Sequence, residues 1–377
     1  MTLSVVILAN RKSALIPVFC QPAVVRATRL AAEVSDRVWV LASEEVCQGL
    51  REVWNRFPAV VQIIMIPQGG NLNLAVRPFE DDRPLIILKA QAIWDRRSLA
   101  AFLAQAQAGV ESVADWGGVL PASRWAAILP GWAQGPDSPS ASSAAPLPYL
   151  LPSGEDGLQE AESRLIDALA ESTRESDGFL TRMVDRRISR RISPWLARWG
   201  VRPNWITLMG TLIGLTGAWL LSQVTYEAHL AGTLMFLAAV IFDGVDGEVA
   251  RLALQESVFG HYLDIVTDNL VHVAVFVGLA LGLSRATGDV SYLYALLGLL
   301  GGFGLCALSV YQILLKAGGS ERDARITRWL GFLVNRDFAY LLVALALLDR
   351  LAFFLWGAMI GSYVFAVSLW VLGRHSR

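Results

Sequence analysis

Acidic side chains are concentrated in one stretch of the chain, "FDGVDGEVARLALQESVFGHYLDIVTD" (242–268), which holds four aspartates and two glutamates. Long apolar runs flank it, "HLAGTLMFLAAVI" on one side and "NLVHVAVFVGLALGL" on the other. A charge close to hydrocarbon costs about 2.5–3.5 kcal/mol on insertion scales, so a cluster of acids there needs something that neutralises it. The stretch therefore indicates bound cations rather than solvated helix ends.

The spacing of the aspartates predicts two facing stripes. On the first helix, positions i, i+3, i+4 and i+7 share a face: Asp243, Asp246, Gly247 and Ala250. On the second helix, positions i, i+4 and i+8 share a face: Gly260, Asp264 and Asp268. Because the connecting turn is short, we expect antiparallel neighbours whose four carboxylates converge. Oxygen ligands without His or Cys favour a hard divalent cation, Mg²⁺ or Mn²⁺.

Other polar residues near the stripes receive plainer interpretations. The small residues Gly247, Ala250 and Gly260 leave room for a bulky ligand beside the carboxylates. Glu248 and Glu256 lie off the stripes, which is typical of plain interfacial charges. For His261 and His272 we expect packing or interface roles rather than metal binding.

The half of the chain that contains the stripes is predicted to be a polytopic membrane domain. Apolar runs of the length that spans a hydrocarbon core of about 30 Å recur from residue 204 to residue 372. They predict six membrane helices, at about 204–222, 229–253, 258–283, 290–315, 335–348 and 351–372.

The distribution of basic residues predicts the orientation of this domain. Arginines crowd before the first helix, at positions 186, 187, 190, 191, 198 and 202. They recur between the fourth and fifth helices and at the tail, whereas the opposite loops carry only Arg285 and Arg350. The positive-inside rule then places both termini and the acidic stretch in the cytoplasm, in a multi-pass protein of a prokaryotic-type inner membrane. The start of the chain, "MTLSVVILANRKSALIP", lacks the features of a signal peptide, which agrees with a cytoplasmic N-terminal half.

The N-terminal half has the pattern of an α/β domain with a mostly parallel sheet. Short β-branched runs alternate with helical stretches, and the runs are 4–9, 37–43, 60–66 and 84–90. This domain is predicted over 1–133, followed by a Pro/Ser/Ala-rich linker over 134–154. Charged and amphipathic juxtamembrane helices are expected over 155–202, and the membrane domain over 203–373.

Composition excludes some other classes of function. A formal net charge of −1, with no basic region apart from the arginines that flank the membrane helices, argues against a nucleic-acid partner. Cys20, Cys47 and Cys306 are too widely spaced for a zinc site or a disulfide framework.

The acidic stretch resembles the signature of the CDP-alcohol phosphotransferases. The matching pattern is Asp246-Gly247-x-x-Ala250-Arg251, eight residues, Gly260-x-x-x-Asp264-x-x-x-Asp268, with Asp243 as an additional upstream aspartate. "RPNWIT" (202–207) is also similar to the usual entry of the family's first membrane helix. The resemblance covers about residues 178–372.

This resemblance implies transfer of a substituted phosphate from a CDP-linked donor to an acceptor hydroxyl, with release of CMP. By position, two metal ions would be held by Asp243, Asp246, Asp264 and Asp268. Asp268 would also be the general base. Contacts to the CDP group are implied for Asp246, Gly247, Ala250, Arg251 and Gly260. Asn204 and Thr207 are further candidates for that role, although capping of the first helix explains them equally well. The family usually forms homodimers.

The acceptor is expected to be an alcohol, a polyol or a polyol phosphate. Cytoplasmic cations that could hold a phosphorylated acceptor are Arg336, Lys316 and Arg325, with Arg336 the best placed. The alternative for these cations is topology and attraction to anionic membrane lipid.

The N-terminal half is similar to the start of sugar nucleotidyltransferases, as in fusions of inositol-phosphate cytidylyltransferase to di-inositol-phosphate-phosphate synthase. Two departures predict that it is inactive. The loop after the first strand, "LANRKSALIPVF", lacks the glycines that let backbone N–H groups approach a triphosphate. Gln91 stands where a metal-binding carboxylate is expected. We expect a structural, regulatory or assembly role, and the alternative is an active cytidylyltransferase with shifted motifs.

Two other functions are less consistent with the acidic stretch. A cation transporter should scatter ionisable groups through the membrane depth, whereas these acids lie at one level. Prenyl diphosphate chemistry also uses aspartate-rich metal sites, but it does not explain the spacing of Ala250, Arg251 and Gly260.

Overall fold

The structure is a computed structural model that describes residues 4–50, 57, 61–66, 84–134, 148–151, 156–173, 181–316 and 337–374. The chain forms two compact units. The N-terminal unit comprises Met1–Ser172, Pro194–Gly200 and Arg251–Leu254. The membrane unit comprises Thr173–Ser193, Val201–Ala250 and Gln255–Arg377.

A six-stranded mixed sheet forms the centre of the N-terminal unit. Its strands are β1 (Ser4–Ala9), β2 (Arg37–Ser43), β3 (Val61–Ile66), β4 (Pro84–Lys89), β5 (Ser112–Ala114) and β6 (Gly117–Pro121), in the order β3-β2-β1-β4-β6-β5. The first four strands pair in parallel, as the alternation of strands and helices predicts. β6 pairs antiparallel with β4 and with β5, so the sheet is mixed rather than wholly parallel.

Both faces of the sheet are buried. Along β1, Val5, Ile7 and Ala9 belong to one apolar cluster, and Val6 and Leu8 belong to another. Alternate residues of a strand point to opposite faces, so an unbroken apolar run is what a doubly covered strand requires. The helices of this unit are α1 (Ala23–Ala32), α2 (Glu44–Leu50), α3 (Arg96–Gln107), α4 (Ala122–Gln134) and α5 (Asp156–Thr173).

Part of the segment predicted as a linker over 134–154 belongs to the fold of the N-terminal unit. Tyr149–Leu150 pairs antiparallel with Ala92–Ile93, and the side chains of Tyr149, Leu150 and Leu151 are buried. These residues therefore belong to the N-terminal unit, and the linker prediction is wrong for them because a buried apolar triplet outweighs the surrounding Pro/Ser-rich composition. Helix α5, assigned by sequence to the juxtamembrane region, also belongs to this unit.

The rest of the described chain is helical, with a single π-helical turn at Thr181–Asp185. The helices are α6 (Arg186–Arg198), α7 (Pro203–Leu221), α8 (Tyr226–Leu252), α9 (Val258–Thr287), α10 (Ser291–Lys316), α11 (Phe338–Leu347) and α12 (Leu351–Arg374). Four spans in the described residues are long and apolar enough to cross a membrane: Pro203–Leu221, Tyr226–Leu252, Val258–Thr287 and Leu351–Ser368. Ser291–Cys306 and Phe338–Leu347 are shorter apolar helices, so the prediction of six membrane helices is matched by four candidate spans.

Helices α7 and α9 approach each other closely through glycines. A Cβ added at Gly278 would collide with the carbonyl oxygen of Ala218, and one added at Gly282 would collide with that of Leu221. Small residues at such contacts let two helix backbones approach closely. In a membrane the hydrophobic effect does not drive helices together, so this close packing is what stabilises their association. This contact fixes α9, which carries one of the two aspartate stripes, against α7.

Candidate active site

Three of the predicted aspartates line one cavity of the membrane unit. Asp243 and Asp246 come from α8, and Asp268 comes from α9. The hydroxyl-bearing residues Thr207 and Thr267 line the same cavity. Thr211 adds a third hydroxyl-bearing residue, and the rest of the lining is small or apolar: Gly210, Phe236, Ala239, Val240 and Val271. The spacing on α8 and α9 thus does bring carboxylates of two helices to a shared cavity.

Asp246 is the most enclosed of these carboxylates. Its residue is 5% exposed, and the hydroxyl of Thr207 on α7 donates a hydrogen bond to its Oδ2. Thr207 also lies one helical turn after Pro203, whose carbonyl its hydroxyl contacts at 3.3 Å. The first membrane helix has no side-chain cap, so the capping alternative for Thr207 is wrong, and a contact of Thr207 with the CDP group stays a prediction.

Asp268 is more open and is held by a histidine of its own helix. Its side chain is 48% exposed. His272 Nδ1 lies 2.7 Å from the Asp268 carbonyl oxygen and 3.1 Å from its carboxylate Oδ1, so a proton on Nδ1 serves both acceptors. The imidazole ring of His272 also contacts the rings of Phe236 and Phe338. His272 therefore packs, as expected from sequence, but it also positions the candidate base.

The spacing predicts four converging carboxylates, and Asp264 is not among the three that line the cavity. Asp264 is half-buried on α9. Within the described residues, no three His, Cys, Asp or Glu side chains are grouped closely enough to hold a metal ion together. The donor chemistry still suits a hard cation, because the cavity offers carboxylate and hydroxyl oxygens and no sulfur.

The candidates for contact with the CDP group are described in both units. A Cβ at Gly260 would lie 2.9 Å from Asn204 Oδ1, so these two residues are close neighbours and only glycine leaves the amide undisturbed. Gly247 and Ala250 are half-buried on α8. Arg251 belongs by its contacts to the N-terminal unit and lines a cavity there.

The acceptor candidates lie largely beyond the described structure. Arg325 and Arg336 are outside the described residues. Lys316 is the last residue of α10, and its side chain is not described. Their proposed role stays a prediction from the sequence.

Glu248 corrects one expectation from the sequence. It is 4% exposed rather than an interfacial charge, and its carboxylate pairs with the guanidinium of Arg186. Ser189 and Ser193 donate to the same carboxylate at 2.9 and 2.6 Å. All three donors are on α6, so Glu248 holds this amphipathic helix against α8 two residues from Asp246. The helical stripe of α8 alone could not show this partner.

We expect Glu248→Ala to destabilise the protein strongly. Removing one member of a buried ion pair typically costs about 3–5 kcal/mol, and here the buried hydroxyls of Ser189 and Ser193 also lose their acceptor. The melting temperature of the detergent-solubilised Glu248→Ala variant should fall by several degrees below that of the unchanged protein. The melting temperature of Glu248→Gln should lie between those of the unchanged protein and of Glu248→Ala. The exposed Glu256→Ala is the matched control and should melt like the unchanged protein. Equal melting temperatures for both alanine variants would contradict this role.

Comparison with known proteins supports the assignment of the signature. Residues 200–372 match the sequence model of the CDP-alcohol phosphatidyltransferase family. A bifunctional IPC transferase and DIPP synthase of Aquifex aeolicus (strain VF5) is 31% identical over 121 residues, which are 32% of this chain and 27% of that protein. Its namesake in Thermococcus kodakarensis is 36% identical over 144 residues, 38% of this chain and 31% of that protein.

A further relative is named for a single activity. The archaetidylinositol phosphate synthase of Pyrococcus horikoshii is 35% identical over 101 residues, 26% of this chain and 50% of that protein. The chain thus spans between 27 and 50% of the length of these three relatives. The family match and the aspartate-lined cavity fall in the same part of the chain. The segment 200–372 therefore matches the CDP-alcohol phosphatidyltransferase family in sequence.

Proposed function

We propose that this protein is a membrane enzyme that moves a substituted phosphate from a CDP-linked donor to an acceptor hydroxyl and releases CMP. The observation that carries the proposal is the cavity lined by Asp243, Asp246 and Asp268, contributed by the two helices of the family signature. In the reaction, the acceptor oxygen attacks the β-phosphorus of the donor, and the bond from that phosphorus to the CMP oxygen breaks.

The aspartates would have two different roles, metal binding and proton transfer. The carboxylates of Asp243, Asp246, Asp264 and Asp268 would hold divalent ions, Mg²⁺ or Mn²⁺ and two in number, whose charge offsets that of the pyrophosphate and of the departing CMP. Asp246 suits metal binding, because it lines the cavity and the Thr207 hydroxyl donates a hydrogen bond to its carboxylate.

Asp268 suits proton transfer. Its partial exposure lets it accept the proton of the acceptor hydroxyl and pass it to water, and His272 fixes its orientation. A positioned carboxylate base typically contributes about 10²–10⁴-fold to a rate. Gly260 and Asn204, neighbours in the structure, are the proposed contacts for the cytidine part of the donor, together with Gly247, Ala250 and Arg251.

The names of the relatives narrow the substrates. A CDP-activated lipid with a polyol phosphate would give a phospholipid, in line with the archaetidylinositol phosphate synthase. CDP-inositol with inositol phosphate would give a soluble product, in line with the DIPP synthases. The acceptor phosphate would be held by Arg336, Lys316 and Arg325.

Product analysis tests the proposal directly. The purified full-length protein is supplied with Mg²⁺, CDP-diacylglycerol or CDP-inositol, and a panel of polyols and polyol phosphates, and products are identified by mass spectrometry. We expect CMP and one condensed product to form in equal amounts and only with metal present. Failure to release CMP with every pair would refute the assignment.

For the N-terminal unit we propose a role without nucleotidyl transfer. In place of an open glycine loop after β1, Lys12–Leu15 forms a short 3₁₀ helix in which Ser13 and Ala14 are buried. Asn10 and Arg11, just before it, both donate to the carbonyl oxygen of Ala133. Gln91 is fully buried where a metal-binding carboxylate is expected. These features leave little room for a triphosphate.

We expect the Asp246→Asn variant, in which the membrane activity is disabled, to release no pyrophosphate from CTP with sugar or inositol phosphates. Pyrophosphate release is measured because the relatives in Aquifex aeolicus and Thermococcus kodakarensis are named as bifunctional enzymes. A phosphate-release assay coupled to pyrophosphatase gives the rate, and a commercial cytidylyltransferase provides the positive control. Pyrophosphate release that saturates with CTP would establish the alternative, an active cytidylyltransferase.

The membrane arrangement is proposed in the same way. Six membrane helices would place both termini and the aspartates on the cytoplasmic side of a prokaryotic-type inner membrane. The four spans identified by length and composition and the arginines of α6 support this arrangement. A homodimer is the expected oligomer.

A further inference from the structure

A second cavity lies within the N-terminal unit. Its volume is about 230 Å³. Helices α1 and α5 form part of its walls, and the rest comes from Trp94–Arg97 and Arg251–Leu254. Every residue that lines it belongs to the N-terminal unit. The loop after β1, where a nucleotidyltransferase would bind its triphosphate, does not line it.

Two buried donors of this cavity have no acceptor in the part of the chain that the structure describes. Arg26 and Trp94 are 3% and 2% exposed. Among the described residues, neither Arg26 Nε nor Trp94 Nε1 has a hydrogen-bond partner. The other end of the Arg26 side chain is used, since its Nη1 donates to the carbonyl oxygen of Leu252. A buried donor without an acceptor is costly, so two of them at one cavity indicate that an acceptor binds there.

The charges around the cavity show what kind of acceptor it would take. Four arginines line it and one carboxylate does: Arg26, Arg96, Arg97 and Arg251, against Asp95. The Asp95 side chain is already occupied as the cap of α3, where it accepts from the Ser98 backbone N–H. Burial lowers the pKa of Arg26 to about 10, so its guanidinium remains charged at neutral pH. The lining therefore has a positive excess that favours an anion.

Some of these arginines already have partners within the protein. Arg96 forms a two-point ion pair with Glu33 at 2.7 and 2.8 Å. Arg97 donates one bond to the carbonyl oxygen of Ser172, at 3.0 Å. The specific hydrogen bonds to a ligand would therefore come first from Arg26 and Trp94, while the other cations supply the surrounding field.

Size restricts the ligand further. At roughly 30 Å³ per water, the cavity could hold about seven waters, more space than a bare phosphate ion needs. It is smaller than the roughly 300–1,000 Å³ of pockets that enclose drug-sized ligands, so a ligand that fills it is smaller than these. The leucines Leu30, Leu165 and Leu169 provide an apolar side for a short carbon skeleton.

We propose that this cavity binds the monophosphate ester of a small polyol, with its phosphate oxygens accepting from Arg26 Nε and Trp94 Nε1. This proposal shares Arg251 with the residues proposed to contact the CDP donor, but the two donors on which it rests, Arg26 and Trp94, are not among those residues. The site would give the N-terminal unit a ligand of its own even without nucleotidyl transfer.

Equilibrium dialysis of the full-length protein with radiolabelled inorganic phosphate tests the site. The protein is kept in a phosphorus-free detergent, with EDTA present so that no metal can hold phosphate at the aspartates. We expect saturable binding of one phosphate per chain. Glycerol phosphate should displace it and glycerol should not. Short-chain phosphatidate in a separate arm distinguishes a lipid headgroup, which should compete poorly.

Trp94→Phe removes the indole donor while keeping an aromatic ring against Phe102 and Trp116. Phosphate should bind this variant about tenfold more weakly, because the variant loses one hydrogen bond to a charged group. Trp132→Phe is the matched control, because the Trp132 Nε1 already donates to the Ala114 carbonyl oxygen at 2.8 Å and Trp132 does not line the cavity. Its phosphate affinity should equal that of the unchanged protein.

Stability with and without ligand separates a binding role from a structural one. Because the indole is buried and the phenyl ring is smaller, Trp94→Phe should melt somewhat lower than the unchanged protein in phosphate-free buffer, and added phosphate should raise its melting temperature less than it raises that of the unchanged protein. Should that variant fail to fold, Arg26→Lys keeps the charge, removes the Nε–H and should weaken phosphate binding similarly. The proposal is overturned if phosphate does not bind saturably up to about 10 mM, or if Trp94→Phe and Trp132→Phe bind it equally.

Discussion

Asp246→Asn is expected to lower the rate of CMP release by about a thousandfold, the scale of losing one preorganised electrostatic group at a reacting phosphate. Asparagine has nearly the same shape and can still accept from the Thr207 hydroxyl, so the cavity should persist. What disappears is the negative charge of a residue that is 5% exposed on the cavity wall.

The matched control is Glu256→Gln, which removes a charge from the same acidic stretch at an exposed residue outside the cavity. Its CMP release should stay within about twofold of the unchanged protein, since surface charges of this kind contribute little. Initial rates measured at saturating Mg²⁺ give both numbers, and melting curves confirm that both variants are folded. An Asp246→Asn enzyme with nearly full activity would remove the aspartate cavity from the mechanism.

Gly278→Leu is expected to have the second large effect, loss of the folded membrane unit. A side chain at this position meets the backbone of Ala218 on α7, which cannot move aside as a flexible side chain could. Overpacking in a core typically costs about 1–3 kcal/mol, and a collision with a helix backbone lies at or above that range. Because α9 carries Asp268, activity should fall together with stability.

Gly304→Leu is the control for added apolar bulk on a helix. Gly304 lies on α10, and a Cβ there meets no atom within 4 Å. Its yield, elution profile and melting temperature in detergent should match those of the unchanged protein, whereas Gly278→Leu should aggregate or melt much lower. A stable, active Gly278→Leu protein would show that α7 and α9 do not pack as described.

The features that sequence predicted well are those with a strong local signal. The runs at 4–9 and 37–43 are strands with the bounds that the sequence predicts. A short, continuous β-branched run is typical of a strand that is buried on both faces of a sheet. The spacing of Asp243, Asp246 and Asp268 also predicted a shared cavity, because helix periodicity and a short turn leave few other arrangements.

The features that sequence missed depend on contacts distant in the chain. The strands β5 and β6 are short, and β6 begins with two glycines, so neither has a strong apolar pattern. Glu248 was assigned to the interface because its donors lie about 55 to 62 residues earlier, on α6. The Gly278–x–x–x–Gly282 spacing on α9 was a readable signal of close helix packing.

The buried anchor of α6 has a consequence for the protein in its lipid environment. Arg187, Arg190 and Arg191 are exposed on the helix whose serines are bonded to Glu248. Anionic lipid attracts each such arginine by about 1 kcal/mol, so the headgroup composition of the bilayer acts on α6. Since Glu248 couples α6 to the helix turn that bears Asp246, turnover should respond to the proportion of acidic lipid even when that lipid is not a substrate.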